Sequence, residues 1–151
     1  MDTEKLNRWL TLGANLGVLV GIVFLSVEIR QNTNAVAAQA ILSLNEFGNE
    51  TSRSVSLDED FAKLVTTGHQ DPESLTELEE ERYVIYVQHL LNVSEAAWTF
   101  RQRGLISDEE FQGWQKSTCS WLAQSGVDKL WKSGRLHFID EFRSSAETWC
   151  Y

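Results

Sequence analysis

Residues 9–27, WLTLGANLGVLVGIVFLSV, form a run of nineteen with no charge, bounded by Arg8 and Glu28. At the α-helical rise the run reaches roughly 29 Å, close to the ~30 Å hydrocarbon core of a bilayer. Hydrocarbon offers no hydrogen-bond partners, so a lone spanning segment has to be helical. The run therefore predicts one N-terminal transmembrane helix. It divides the chain into a tail and anchor, residues 1–30, and a soluble domain, residues 31–151. A cleaved signal peptide is the competing reading, with Lys5 and Arg8 as its basic region and Ala35-Val36-Ala37 as its cleavage site. The apolar run exceeds the about 7–15 residues usual in such a peptide, and Glu28-Ile29-Arg30-Gln31-Asn32 is an odd approach to a cleavage site. An uncleaved anchor is the better fit.

Gly13, Gly17 and Gly21 recur at every fourth position of the run. On a helix they share a face and make a shallow groove. A partner helix can approach closely there, and close approach is the main source of attraction between helices in lipid. This glycine-zipper pattern predicts self-association or docking onto another membrane subunit, although glycine is also generally frequent in membrane helices. Asn15 is strongly polar and lies within the run, placed either to hydrogen-bond across a helix pair or to reach headgroup water. Glu28 stands at the far boundary beside Ile29 and Arg30. Acids inside membranes often mark ion paths; an interfacial acid paired with Arg30 is the simpler reading. Trp9 occupies the place of an interfacial aromatic.

The net charge of −9 is confined to the middle of the chain. Residues 31–100 hold twelve acids and three bases, whereas residues 1–30 and 101–151 are each balanced. An acidic surface repels phosphate, so no nucleic-acid partner is expected. Lys5 and Arg8 before the run, against Arg30 after it, put the N-terminus in the cytoplasm and the domain outside. Cys119 and Cys150 are too few for a disulfide framework and form no CxxC motif. They read as inert thiols, with one disulfide between them left open.

After Arg30 the alanine-rich residues 34–42 favour helix, and no Gly or Pro separates them from the anchor. The anchor is expected to continue as a stalk with Val36, Ala40, Leu44 and Phe47 on one stripe, and to break first at Gly48. Ser56-Leu57-Asp58-Glu59 reads as a capping box that opens a short helix closed by Gly68. Ser74 or Thr76 caps the next helix, with Glu77 or Glu79 reciprocating, and this helix runs to about Arg103. Gln88, Asn92, Glu95, Thr99 and Gln102 form its polar stripe, while Tyr83, Val87, Leu90, Leu91, Ala97 and Trp98 make it apolar over most of its surface. Such a helix belongs at the centre of a bundle. Gly104 then caps its end, Ser107 to Glu110 is a second capping box, and Ile106 and Phe111 form a hydrophobic staple. Phe111, Trp114, Thr118, Trp121 and Leu122 mark the inward face of the following helix, which ends at Gly126; a short helix with Val127, Leu130 and Trp131 stops near Gly134; a last one puts Phe138, Ile139, Phe142, Ala146 and Trp149 on one face.

Catalytic spacing is not found. His69, His89 and His137 are isolated, with no HExxH and no Glu-x-x-His. The acids at 77–81 and 58–60 sit at helix starts, where they complement the macrodipole. No G-x-S-x-G, P-loop or G-x-G-x-x-G occurs. No cofactor and no metal site are expected. The six tryptophans suit a core or interface better than a ligand pocket.

Ile22-Val23-Phe24-Leu25-Ser26-Val27 leads directly into Glu28-Ile29-Arg30-Gln31-Asn32-Thr33. This juncture resembles that of a group of small bacterial single-span proteins, whose apolar helix ends in an EIRQNT-type sequence before a helical domain. Asp71 to Thr76 and Gly104-Leu105-Ile106 fit the same group. The resemblance covers most of the chain and implies architecture, with no activity or site.

The expected fold is thus all-α, an N-terminal transmembrane helix continuing into a small bundle of about four or five helices. The expected location is the bacterial inner membrane. The expected function is that of a non-enzymatic interaction protein, either a self-associating scaffold or an accessory subunit. A ligand sensor with an aromatic-lined pocket is the first alternative. An oligomeric channel or proton path using Asn15 and Glu28 is the second.

Overall fold

The computed structural model describes residues 2–151, apart from the side chain of Lys5. The Lys5 charge used to orient the anchor lies outside the described residues. The described chain is helical throughout, with no strand. Its elements are α1 (Thr3–Leu57), α2 (Glu59–Gln70), a 3-10 turn (Pro72–Ser74), α3 (Glu77–Gln102), α4 (Asp108–Leu122), α5 (Ser125–Ser133) and α6 (Asp140–Cys150). Six α-helices thus stand where an anchor and about four or five were expected. The chain forms two units, divided between Ala38 and Gln39.

The first unit is helical from Thr3 onwards. Among the described residues, α1 is the one helix long and apolar enough to cross a membrane, and none of its apolar stretch is buried. Leu19 is 60% exposed and Phe24 69%, on a surface that water would oppose. The hydroxyls within it are satisfied by the helix itself. Thr11 donates to the Asn7 carbonyl, Ser26 to Ile22 and Thr33 to Ile29.

The second unit, Gln39–Tyr151, is built around α3. Its Tyr83, Val87 and Leu91 enter one apolar cluster with Val127 and Trp131 of α5 and Phe142 of α6. Its Val93 and Ala97 enter a second with Leu44 of α1, Ile106 and Phe111. Phe142 is the hub of the aromatic packing, with ring centres 6.1 Å from Trp98, 5.6 Å from Phe138 and 6.4 Å from Trp149. A buried hydrogen bond between the Thr118 and Ser94 hydroxyls ties α4 to α3 at 2.8 Å.

Local signals fix most helix starts. Thr76 and Glu79 form a reciprocal capping box, as do Ser107 and Glu110. Gly104 and Gly134 end their helices with positive φ, 68° and 75°, the left-handed conformation that glycine adopts without strain.

Three glycines and one serine depart from expectation. Gly48 does not break α1, which runs on to Leu57; an added Cβ there would meet the Trp114 ring in ordinary van der Waals contact at 3.5 Å. Gly68 lies within α2, and Gly126 lies in the first turn of α5. Ser56 is no cap: its hydroxyl donates back to Ser52, and Asp58 accepts from the Phe61 amide instead. An aspartate carboxylate is a strong N-cap, and it leaves the serine inside the preceding helix.

The reading of Cys119 and Cys150 as inert thiols is also corrected. The two sulfurs are bonded, with Cα atoms 5.0 Å apart, and the bridge staples α4 to α6 across 31 residues. The sequence separation hides a pairing that the α4–α6 packing creates.

The polar stripe of α3 has a structural use. The Gln88 side chain accepts from the His137 amide and donates to the His137 carbonyl, and Glu95 accepts from the Ile139 amide. These side chains hold the segment between α5 and α6, whose backbone lacks helical partners.

Candidate functional site

Gly13, Gly17 and Gly21, expected to form an association face, and Asn15 and Glu28, expected as polar membrane contacts, all lie on α1 within the first unit. A Cβ built at Gly13, Gly17 or Gly21 meets nothing within 4 Å among the described residues. At about 100° per residue, Gly13 and Gly21 lie roughly 40° to either side of Gly17. Glu28 falls roughly 20° from Gly17 and continues the same face, whereas Asn15 falls roughly 160° away, on the opposite side. The glycines and Glu28 are therefore brought together; Asn15 is not.

The second unit contains a groove between α1 and α3, with a volume of about 580 Å³. Phe47, Glu50, Thr51 and Ser54 form its α1 wall. Its α3 wall runs from Arg82 through Ile85, Tyr86 and His89 to Val93 and Ala96, and Phe61 of α2 lines it as well. Periodicity explains both walls. Positions 47, 51 and 54, and positions 82, 85, 86, 89, 93 and 96, each recur at spacings of three and four, one stripe per helix. Phe47 and Ile85 are more than half exposed, 58% and 55%, although both are apolar.

Aromatic contacts set the groove's polar end. The Arg82 guanidinium carbon stands 5.6 Å from the centre of the Phe61 ring, and Phe61 meets Tyr86 edge-on at 5.6 Å. Behind them, Tyr83 is fully buried and its hydroxyl lies 2.7 Å from His69 Nδ1. Burial holds the His69 pKa below its usual value and raises those of Tyr83 and Tyr86. Both shifts favour neutral groups, so the phenol donates to the ring nitrogen. A shallower hollow shares Glu50, Ser54, Phe61 and Arg82 with the groove and adds Arg53 and Asp58.

The tryptophans do not line this groove. Trp98, Trp114, Trp121, Trp131 and Trp149 pack in or against the two cores, and Trp9 is 72% exposed on α1. The aromatic lining comes instead from Phe47, Phe61 and Tyr86. Nothing local marks these residues, because the groove exists only where α1 and α3 run side by side. The one sequence hint is Ile85, an apolar residue between the charges of 79–82 and the polar stripe.

No three His, Cys, Asp or Glu side chains converge as metal ligands among the described residues. Glu79 and Glu110 are held below the usual carboxylate range by the capping hydrogen bonds from Thr76 and Ser107, which is a structural use of both acids. No protein family model, no curated protein and no solved structure matches this chain.

Proposed function

We propose that the chain is a single-span protein of the bacterial inner membrane and serves as a non-enzymatic interaction protein, a self-associating scaffold or an accessory subunit. The observation that carries this reading is the open face at Gly13, Gly17 and Gly21 on a helix whose apolar side chains are uncovered. A bilayer would cover the apolar surface, and a second helix would cover the glycines. A branched side chain at Gly17 must push the axes apart, and dispersion falls steeply with separation. Gly17→Ile should therefore weaken association strongly in mild detergent, while Val18→Ile, beside the face, should do little. Equal oligomer size for wild type and Gly17→Ile would remove the glycine face.

On this reading the domain lies on the extracytoplasmic side. Lys5 and Arg8 before the run, against Arg30 after it, favour this slightly. The Cys119–Cys150 disulfide adds to it, because such bonds persist in oxidising compartments and are rare in the cytosol.

The groove favours a second reading, a membrane-anchored ligand sensor. It is mostly apolar, carries a few polar groups, and lies within the usual size range of small-molecule sites. A channel or proton path is less well supported. Asn15 and Glu28 lie roughly 140° apart around α1, so both cannot face one central axis from a straight helix.

A further inference from the structure

The face formed by α1 and α3 gathers most of the apolar surface that the second unit leaves uncovered. Of the seven large apolar or aromatic side chains exposed there among the described residues, four, Phe47, Leu57, Leu78 and Ile85, belong to this face. Leu78 joins it because it lies four residues before Arg82 on the α3 stripe. Single exposed apolar residues are ordinary, whereas a cluster marks an interaction surface. From Leu78 to Ala96 the face runs about 27 Å at the helical rise, and two helices side by side are roughly 20 Å wide. That is roughly 500 Å² before its relief is counted, against about 800 Å² per partner in a standard interface. Anchors in one membrane concentrate the copies they carry, so a surface of this size suffices.

The charges of the face identify the partner. Residues 31–100 are strongly acidic, yet Arg53 and Arg82, two of their three bases, both stand here. Neither has a carboxylate within ion-pair distance among the described residues, whereas Lys63, the third base, pairs with Glu59. Two acids, Glu50 and Asp58, share that end of the face. Asp58 is committed to the Phe61 amide, and Glu79, one turn before Arg82, to the Thr76 cap. The Glu50 carboxylate has no such partner among the described residues. Two bases and two acids leave this end neutral, with free charge of both signs. Such a surface is complementary to itself, because a two-fold axis sets a base of each copy against an acid of the other. Elsewhere along residues 31–100 the acids of two copies repel.

We infer that this face pairs two copies of the chain about a two-fold axis, with Arg82 of each copy against Glu50 of the other. Ile85 lies near the middle of the face, and residues at the centre of an isologous interface meet their own copies. The pairing rests on the reading of the chain as a self-associating protein and adds a contact between domains to the one at the glycine face.

The test is cross-linking of full-length Ile85→Cys in isolated membranes with a short bismaleimide, which reacts with free thiols and leaves the Cys119–Cys150 disulfide alone. A cross-linked dimer is expected. In that background Arg82→Glu sets acid against acid in both halves of the pairing, and Glu50→Arg sets base against base. Each alone should cut the dimer yield by about tenfold. Both positions are exposed. Co-expression of the two reversed copies restores opposite charges in both halves, so the mixed dimer should return to the yield of Ile85→Cys. A misfolded variant is not rescued in this way. No dimer from Ile85→Cys, equal dimer in the single reversals, or failure of the mixed copies to pair would each overturn the inference. A cross-link from position 85 to a different protein would also overturn it and would give the face to that protein. Oligomers that persist in mild detergent in any of these cases leave association through the glycine face standing; a monomeric wild type removes both.

Discussion

The Cα of Gly126 packs directly on the carbonyl oxygen of Gly68, so that α5 and α2 meet backbone to backbone. A Cβ at Gly126 would also stand 2.9 Å from the Tyr83 hydroxyl, and one at Gly68 would collide with the Tyr83 ring. Two glycines and a tyrosine therefore form one closed contact at the centre of the domain. Gly126→Ala should cost about 1–3 kcal/mol, the usual range for overpacking a filled site. Gly113 lies on α4 with nothing within 4 Å of an added Cβ, and Gly113→Ala should instead gain about 0.5–1 kcal/mol from helix propensity. Urea unfolding of the two variants checks both signs at once.

The same contact makes the domain sensitive to mild acid. Burial keeps the His69 pKa below its unfolded value of about 6.5. In that window the unfolded chain binds the extra proton, so stability rises with pH. The contribution is complete above about pH 6.5 and is lost as pH falls from there through the folded pKa. Wild type should lose stability as pH falls below about 6.5, and His69→Gln should lose less. The capped acids Glu79 and Glu110 stay ionised throughout that interval, because their pKa values are lowered. A pH slope unchanged in His69→Gln would rule out His69 as its source.

Features encoded within a few residues were legible in the sequence. Thr76 with Glu79, Ser107 with Glu110, and the left-handed Gly104 are all local devices. Gly48, Gly68 and Gly126 were misread as helix ends because a glycine's composition signal is the same whether it stops a helix or admits a neighbour. Tyr83, which crowds both Gly68 and Gly126, lies on another helix. The Cys119–Cys150 bond, the service of Gln88 and Glu95 to the segment before α6, and the groove are likewise products of packing. That Gly13, Gly17 and Gly21 share one side of α1 follows from the helical period alone.

The disulfide gives a stability and a sidedness test together. Closing a loop of this length is worth about 2–4 kcal/mol, so Cys119→Ser should lower the unfolding free energy by that order. In that background Cys150 is free. A membrane-impermeant maleimide applied to intact spheroplasts should label it if the domain is extracytoplasmic. Labelling only after lysis would place the domain in the cytoplasm.

Everything proposed here depends on the uncharged run of α1 lying in a bilayer. Washing isolated membranes with alkaline carbonate strips peripheral proteins and leaves integral ones behind. The expected result is full-length protein in the membrane pellet. Its release into the supernatant would contradict the anchor, and with it the glycine-face association.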